Sequence, residues 1–145
     1  MSLKYAQDFY KIKNPEKYIG LGTPRYRSSW ELAVMQMCDN NPAIQNWASE
    51  SIKIPYRDPL TGKNTVYVPD FLVVFVDKNQ KLHTELWEVK PKKQALIEHV
   101  GKNKLNQAHY IRNMAKWEAA RAWSKKHGVQ FRIITEDDLW NGKRK

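Results

Sequence analysis

The sequence predicts one mixed α/β (α+β) domain in which helices flank a mixed β-sheet of about four to five strands. The spacing of apolar residues changes along the chain between helical and alternating patterns, in the order α-β-β-β-α-β. The chain has 145 residues, including six Trp and seven Tyr, which is enough to form the core of a single domain. Since no internal repeat and no long linker divides it, we expect residues 25–140 to form this domain.

Short basic segments are predicted at both ends of the chain. Residues 1–24 are expected to form an extended arm, because Asn14-Pro15 and residues 20–24 are turn signals and no apolar period spans them. The aromatic residues Tyr5, Phe9, Tyr10 and Tyr18 indicate that this arm docks on another surface. Residues 141–145 are expected to form a basic tail.

The first helix is predicted over residues 28–39. Its apolar residues repeat at the spacing of one helix face: Trp30, Val34 and Met37. Ser28 and Glu31 have the spacing of a capping box, and the sequence Asn40-Asn41-Pro42 ends the pattern. The helix is therefore bounded on both sides by ordinary start and stop signals.

Three strands are predicted over residues 50–56, 64–76 and 81–90. The turns between them, residues 58–62 and 77–80, are short enough to join the strands as an antiparallel meander. The second run is apolar on both faces, which is typical of a central strand covered on both sides.

A long helix is predicted over residues 102–127, and Gly128 follows it at a position where helices commonly end. Residues 129–135 then alternate as a last strand should. Because a helix precedes this strand, we expect it to pair in parallel through a crossover connection.

The charge of the chain indicates a polyanionic partner. Lys and Arg number 25 against 15 Asp and Glu, so the net charge is +10. Nucleic acid is the commonest partner of this kind, while an anionic membrane, a ribosome-like surface or solubility alone are the alternatives. No apolar run approaches the roughly 20 residues that cross a bilayer, and the single Cys38 excludes an internal disulfide.

Two acids on neighbouring predicted strands are the strongest candidates for chemistry. Asp70 follows Pro69 in the second strand and Glu88-Val89-Lys90 ends the third, so a hairpin would place both carboxylates at one edge of the sheet. Adjacent carboxylates repel each other unless a cation lies between them. Two interpretations without a chemical role stay open. Asp70 would lie in a solvated turn after Pro69, and Glu88 and Lys90 would be an ordinary neighbouring ion pair that faces solvent.

These residue types suit a hard divalent cation. Mg²⁺, or Mn²⁺ in its place, would take oxygen ligands from Asp70, Glu88 and the backbone carbonyl of Val89. Such an ion polarises a phosphodiester and lowers the pKa of a bound water, while Lys90 orients that water or stabilises transition-state charge. Glu31 in the first helical turn is a further candidate for both site and metal, although helix capping would explain it equally well.

The motif formed by Glu31, Pro69-Asp70 and Glu88-Val89-Lys90 resembles that of the PD-(D/E)XK nuclease superfamily, whose restriction-endonuclease-like core has the same order of elements. Longer segments resemble the head completion nucleases of large tailed myophages, relatives of the transposon-end endonuclease subunit TnsA. These segments are residues 26–31, 48–50, 54–56, 88–93, 116–120 and 131–137.

The resemblance implies a Mg²⁺-dependent DNA endonuclease with Glu31, Asp70, Glu88 and Lys90 at the active-site positions. It also implies a role in finishing the phage head after DNA packaging, in the host cytoplasm and the virion, with head or portal proteins as partners and no membrane. The chain would act as a monomer or homodimer. Two alternatives stay open: a catalytically silent DNA-binding plug of the head or portal, and a TnsA-like transposon-end endonuclease subunit.

Basic residues near the site and along the long helix are candidates for phosphate contacts that carry no sequence information. They are Arg27, Lys92, Lys93, Lys102, Lys104, Arg112 and Lys116. For any single lysine an ordinary solvated helix face is the alternative. No helix-turn-helix or paired zinc ligands are evident, so sequence-specific binding is not expected.

Overall fold

The computed structural model describes residues 8–91 and 104–140, within which three α-helices and eight β-strands occur. In chain order they are β1 (Asp8–Phe9), β2 (Arg25–Tyr26), α1 (Ser29–Asn40), β3 (Ile44–Ser49), β4 (Ile54–Arg57), β5 (Asn64–Tyr67), β6 (Phe71–Val76), β7 (Leu82–Val89), α2 (Lys104–His127), β8 (Gln130–Ile134) and α3 (Glu136–Trp140). The predicted basic tail lies outside the described residues.

Four strands form the central sheet in the order β3-β6-β7-β8. Strands β3, β6 and β7 are antiparallel neighbours, whereas β8 runs parallel to β7. A parallel pair requires a long crossover, and α2 lies within the connection from β7 to β8. The predicted mixed fold and its parallel last strand are therefore confirmed.

The predicted meander is correct in its two antiparallel hairpins but wrong in placing them in one sheet. As predicted, β4 pairs antiparallel with β5 across the turn over residues 58–62, but these two strands form a separate two-stranded ribbon. Besides β7, the neighbour of β6 is β3, over residues for which no strand was predicted. The pairing of β3 with β6 shifts register between Ile44 and Asn46, so the burial of β3 does not alternate regularly. Sequence alternation therefore gave no signal for this strand.

The predicted second strand is also wrong in its length. The apolar run over residues 64–76 divides into β5, which ends at Tyr67, and β6, which begins at Phe71. Pro69 stands between them and lacks the N–H that a central strand would donate. The chain bends at this point, and Asp70 lies in the bend.

Helices cover the two faces of the sheet. On one face, Val34 and Met35 of α1 pack in a core with Trp47 and Phe71 of the strands. On the other face, Trp117 of α2 packs in a second core with Leu86 of β7, and Ile54 and Tyr67 of the ribbon belong to the same core. The ribbon therefore lies on the α2 side of the molecule. Among the described residues, no helix combines the length and apolar character needed to span a membrane.

Residues 8–24 of the predicted arm lie against the domain. The Tyr10 hydroxyl donates a hydrogen bond of 2.7 Å to Asp39 near the end of α1, and the main-chain N–H groups of Lys13 and Asn14 donate to the same carboxylate at 2.8 and 3.0 Å. The Tyr18 ring packs edge-on against Trp47 with ring centroids 4.7 Å apart. Tyr10 and Tyr18 dock the arm as expected, whereas Phe9 is exposed and Tyr5 lies outside the described residues. The predicted boundaries of arm, domain and tail stay a prediction.

Candidate active site

The two candidate acids lie side by side on the α2 side of the sheet. Strands β6 and β7 pair Phe71 with Trp87, and one step further along this antiparallel register Asp70 lies opposite Glu88. The main-chain N–H of Val89 donates a hydrogen bond of 2.8 Å to Oδ2 of Asp70. The structure therefore brings together the acids that the hairpin was expected to bring together.

Both acids are removed from bulk water. Glu88 is 7% exposed and Asp70 is partly buried. Burial raises the pKa of Asp70 well above its ordinary value, and the nearby charge of Glu88 raises it further. Burial also raises the pKa of Glu88, although Tyr67, Lys90 and other neighbours oppose the change. A site that disfavours two negative charges in this way favours the binding of a cation.

These observations decide between the open interpretations of the two acids. Asp70 does lie in a bend after Pro69, as the alternative held, but its carboxylate is partly buried and bonded to Val89 rather than solvated. Glu88 is a buried residue and not part of a solvent-facing pair.

Lys90 lies beside Glu88 at the end of β7. Its Nζ is 3.8 Å from Oε2 of Glu88, and its side chain is 28% exposed. The main-chain N–H of Lys90 donates to the carbonyl oxygen of Ile134 in β8 at 2.9 Å, which fixes the backbone here. The ammonium is thus near Glu88 at a separation longer than a hydrogen bond.

Glu31 lies at the start of α1, where its carboxylate contacts the backbone before the helix and faces the charges of the candidate site. Its main-chain N–H donates to Oγ of Ser28 at 3.1 Å, and its own Oε1 accepts a hydrogen bond of 2.9 Å from the N–H of Arg27. Burial raises the pKa of Glu31, while the charge of Lys90 lowers it, and the charge of Glu31 in turn raises the pKa of Asp70. Ser28 therefore caps α1, the Glu31 carboxylate binds the backbone just before this cap, and Glu31 lies within electrostatic reach of the other candidates.

The oxygen atoms at this site fit a hard cation, though not as a cage of side chains. Within residues 8–91 and 104–140, no three Asp, Glu, His or Cys side chains are arranged to hold a metal ion together. Mg²⁺ is usually bound through only one or two carboxylates and keeps several waters, which Asp70 and Glu88 can satisfy. In the same part of the chain, no donor is hydrogen-bonded to Oδ1 of Asp70.

Two further residues at the site were not expected there. The hydroxyl of Tyr67 donates a hydrogen bond of 2.6 Å to Oε1 of Glu88. Lys116, predicted only as a phosphate contact, is partly buried on α2 with its Nζ 5.7 Å from the centroid of the Tyr67 ring. Burial lowers the pKa of Lys116, and the charge of Glu88 opposes this. In an unbroken strand the side chains of Tyr67 and Asp70 would point to opposite faces of the sheet. The sequence could therefore have indicated that Tyr67 lies at the site only through the break that Pro69 makes in the strand.

The other predicted DNA contacts differ in their surroundings. Arg27 forms an ion pair with Glu50, and Nε of Arg112 is 3.0 Å from Oδ2 of Asp58. Lys104 is exposed at the first described residue of α2. The remaining predicted contacts lie outside the described residues: Lys92, Lys93 and Lys102.

The mixed sheet, with its crossover helix and its paired acids at the strand ends, defines a restriction-endonuclease-like nuclease. A family model described as TnsA-like endonuclease N terminal matches residues 41–136, a span that includes Asp70, Glu88 and Lys90 but not Glu31. The chain therefore belongs to the TnsA-like endonuclease family. It is also similar to the head completion nuclease of Enterobacteria phage T4, with 34% identity over 139 aligned positions that cover 88% of this chain and 89% of that protein. The predicted kinship with restriction-endonuclease-like nucleases is confirmed.

Proposed function

We propose that this protein is a Mg²⁺-dependent DNA endonuclease that acts in completing the phage head. The observation that carries the proposal is the juxtaposition of Asp70 and Glu88, two acids with raised pKa values on adjoining strand ends. Repulsion between the carboxylates of Asp70 and Glu88 lowers the stability of the fold. A reaction that needs a cation between them explains why the protein would keep both acids.

The roles of the residues follow from their positions. Asp70 and Glu88 would hold the cation, with the carbonyl oxygen of Val89 and the carboxylate of Glu31 as further candidate ligands. When bound, the ion would polarise the scissile phosphate and lower the pKa of a coordinated water. The N–H of Val89 keeps one oxygen of Asp70 oriented, which leaves Oδ1 for the cation. Mn²⁺ would substitute for Mg²⁺ because it accepts the same oxygen ligands.

Lys90 would supply a positive charge in addition to that of the metal ion. Its Nζ is 3.8 Å from Glu88, a separation at which the attraction persists without a hydrogen bond that would have to break. From there the ammonium orients the attacking water or stabilises the negative charge that develops on the phosphate.

The net charge of +10 supports DNA as the substrate. Arg27, Lys104, Arg112 and Lys116 are the proposed phosphate contacts within the described residues, together with Lys92, Lys93 and Lys102 outside them. Since these contacts address the backbone, we propose binding without sequence specificity.

The biological setting is proposed from the relative in phage T4, whose name places it in head completion. By analogy, this chain would act on packaged DNA or its ends in the host cell, with head or portal proteins as partners, as a monomer or homodimer. The match to the TnsA-like family supports a second candidate, a transposon-end endonuclease subunit that needs a protein partner. The alignment to nearly the whole length of the head completion nuclease favours the first.

A cleavage assay on supercoiled plasmid and branched DNA tests the proposed function. We expect cutting with Mg²⁺ or Mn²⁺, none in EDTA, and none by Asp70→Ala or Lys90→Ala, although both variants should still bind DNA. Glu118→Ala and Lys53→Ala, which change exposed residues of the same charges, serve as controls and should cut normally. Equal cutting by wild type and both site variants would refute the site, and a wild type that binds DNA but never cuts would favour a silent plug.

A further inference from the structure

We propose that Tyr67 is a positioning residue for Glu88, and that Lys116, beside the Tyr67 ring, is a second cation that binds a phosphate of the DNA at the reaction site. The inference rests on the proposed nuclease function. In this arrangement the β4–β5 ribbon and α2 each contribute one residue to a site that the central sheet otherwise forms.

The hydrogen bond from Tyr67 to Glu88 is the first observation. Its length of 2.6 Å is within the range of a hydroxyl that donates to an ionised carboxylate. The bond occupies Oε1 of Glu88, while Oε2 is the oxygen nearer to Lys90. Tyr67 is only 4% exposed, so water cannot readily replace its hydroxyl. The orientation of a buried, candidate metal-binding carboxylate thus depends on one phenol group.

The path of the chain explains how Tyr67 reaches Glu88. Tyr67 is the last residue of β5, and the bend over residues 68–70 separates it from β6. The ribbon that carries Tyr67 packs on α2, and the 3.0 Å ion pair between Arg112 and Asp58 ties the two together. The Tyr67 ring also contacts Phe131 of β8 edge-on, with centroids 6.4 Å apart. Three elements therefore surround Tyr67: Glu88 of β7 accepts from its hydroxyl, Phe131 of β8 contacts its ring, and α2 packs against its ribbon.

Lys116 completes the arrangement from α2. Its Nζ is 5.7 Å from the Tyr67 ring centroid, within the range of a cation–π contact. Lys90 from the sheet and Lys116 from the helix both lie close enough to Glu88 for their charges to act on it. The three acids Asp70, Glu88 and Glu31 carry at most three negative charges, whereas the two ammonium groups and the proposed divalent cation together carry four positive charges. Positive charge would therefore remain for a further anion. A phosphate of the bound strand is the anion that the proposed reaction brings to this place.

The substitution Tyr67→Phe tests the positioning role, because it keeps the ring and removes only the hydroxyl. We expect the cleavage rate at saturating DNA to fall about 10- to 100-fold and Mn²⁺ binding to weaken by a similar factor, while DNA affinity in EDTA is unchanged. Tyr56→Phe, which removes a hydroxyl from the partner strand of the same ribbon, is the matched control and should behave as wild type. A Tyr67→Phe protein with wild-type cleavage and Mn²⁺ affinity would overturn the inference.

The role of Lys116 is tested with Lys116→Gln and Lys116→Arg. We expect Lys116→Gln to slow cleavage and to lower the slope of log affinity against log salt by about one, and Lys116→Arg to recover the slope. Lys126→Gln, an exposed position near the end of the same helix, is the control for charge alone and should leave cleavage unchanged. Wild-type cleavage by Lys116→Gln would overturn this part. If wild type itself fails to cut with Mg²⁺, the proposed function fails instead, so the two failures are distinguishable.

Discussion

The main-chain N–H of Val89 donates a 2.8 Å hydrogen bond to Oδ2 of Asp70, and this bond ties an acid in a bend to the strand that carries the second acid. Without it, the bend at Pro69 would let the carboxylate turn towards solvent and away from Glu88. A single main-chain donor therefore holds the two carboxylates at close range against their mutual repulsion. The first prediction follows from that repulsion.

Asp70→Asn is expected to stabilise the protein in the absence of metal. The asparagine oxygen still accepts the Val89 hydrogen bond, but it carries no charge beside Glu88. Because the pKa of Asp70 is raised in the folded state above its ordinary 3.8, the native protein binds more protons than the unfolded chain between the two pKa values. Wild-type stability therefore falls as pH rises through that interval and stays lower above it.

Thermal melting in EDTA measures this effect. The melting temperature of Asp70→Asn should exceed that of wild type at neutral pH, and the gap should close as the pH is lowered towards 4. Added Mg²⁺ should raise the melting temperature of wild type and not of the variant. A variant that melts below wild type at neutral pH in EDTA would contradict the repulsion.

Glu31→Gln separates helix capping from chemistry at the start of α1. The glutamine oxygen can still accept the 2.9 Å hydrogen bond from the Arg27 N–H, so stability should change by less than about 0.5 kcal/mol. Its lost charge should lower cleavage at least tenfold if Glu31 belongs to the metal site. Denaturant unfolding and plasmid cleavage measure the two effects, and a fully active Glu31→Gln would leave Glu31 as a cap alone.

Asp39→Ala is expected to release the N-terminal arm. The buried Asp39 carboxylate accepts hydrogen bonds from Tyr10, Lys13 and Asn14, so its removal leaves several donors without a partner and should cost about 2–4 kcal/mol. Limited proteolysis with trypsin should then cut within residues 11–17 faster than in wild type. Asp8→Ala, an exposed acid in the same arm, is the control and should not change the cutting.

The same carboxylate gives the arm a pH dependence. Burial alone would raise the pKa of Asp39, but the hydrogen bonds from Lys13, Tyr10 and Asn14 hold it below its ordinary 3.8. A lowered folded-state pKa stabilises the protein above the unfolded value, and this contribution is lost as pH falls through the folded value. Denaturant unfolding should therefore show that wild type loses stability below about pH 4 and that Asp39→Ala lacks this loss.

Glu50→Gln is expected to strengthen DNA binding. Glu50 forms an ion pair with Arg27, and both side chains are exposed to solvent. Loss of this pair should therefore change the free energy of unfolding by less than about 1 kcal/mol. The freed guanidinium would then be available to a DNA phosphate, and one negative charge near the DNA would be removed. Fluorescence anisotropy at several salt concentrations checks the change, and unchanged or weaker binding would show that Arg27 does not contact DNA.

Much of the fold was predictable because its signals are local. The stripe of Trp30, Val34 and Met37 identified α1, and the turn over residues 77–80 fixed the β6–β7 hairpin. That hairpin in turn placed Asp70 opposite Glu88, so the two acids could be found together from spacing alone. Within a hairpin, the sequence spacing of two residues determines whether they lie opposite each other.

The rest depended on distant parts of the chain. Strand β3 was missed because its shifted register removes the alternation that marks a strand. The hairpin of β4 and β5 was predicted, but its separation from the sheet was missed because the run over residues 64–76 continues with apolar residues on both sides of Pro69. The contact of Tyr67 with Glu88 joins residues 21 positions apart, and that of Arg27 with Glu50 joins residues 23 apart. No spacing rule predicts such pairs, because each requires the folded sheet to bring its members together.

Isothermal titration with Mn²⁺ tests most directly whether Asp70 and Glu88 form a cation site. Wild type, Asp70→Asn and the control Glu118→Gln are titrated at neutral pH in the absence of DNA. We expect binding by wild type and the control, with protons released as the two acids lose them, and no measurable binding by Asp70→Asn. Equal binding by all three proteins, or by none, would contradict a cation held between these two acids.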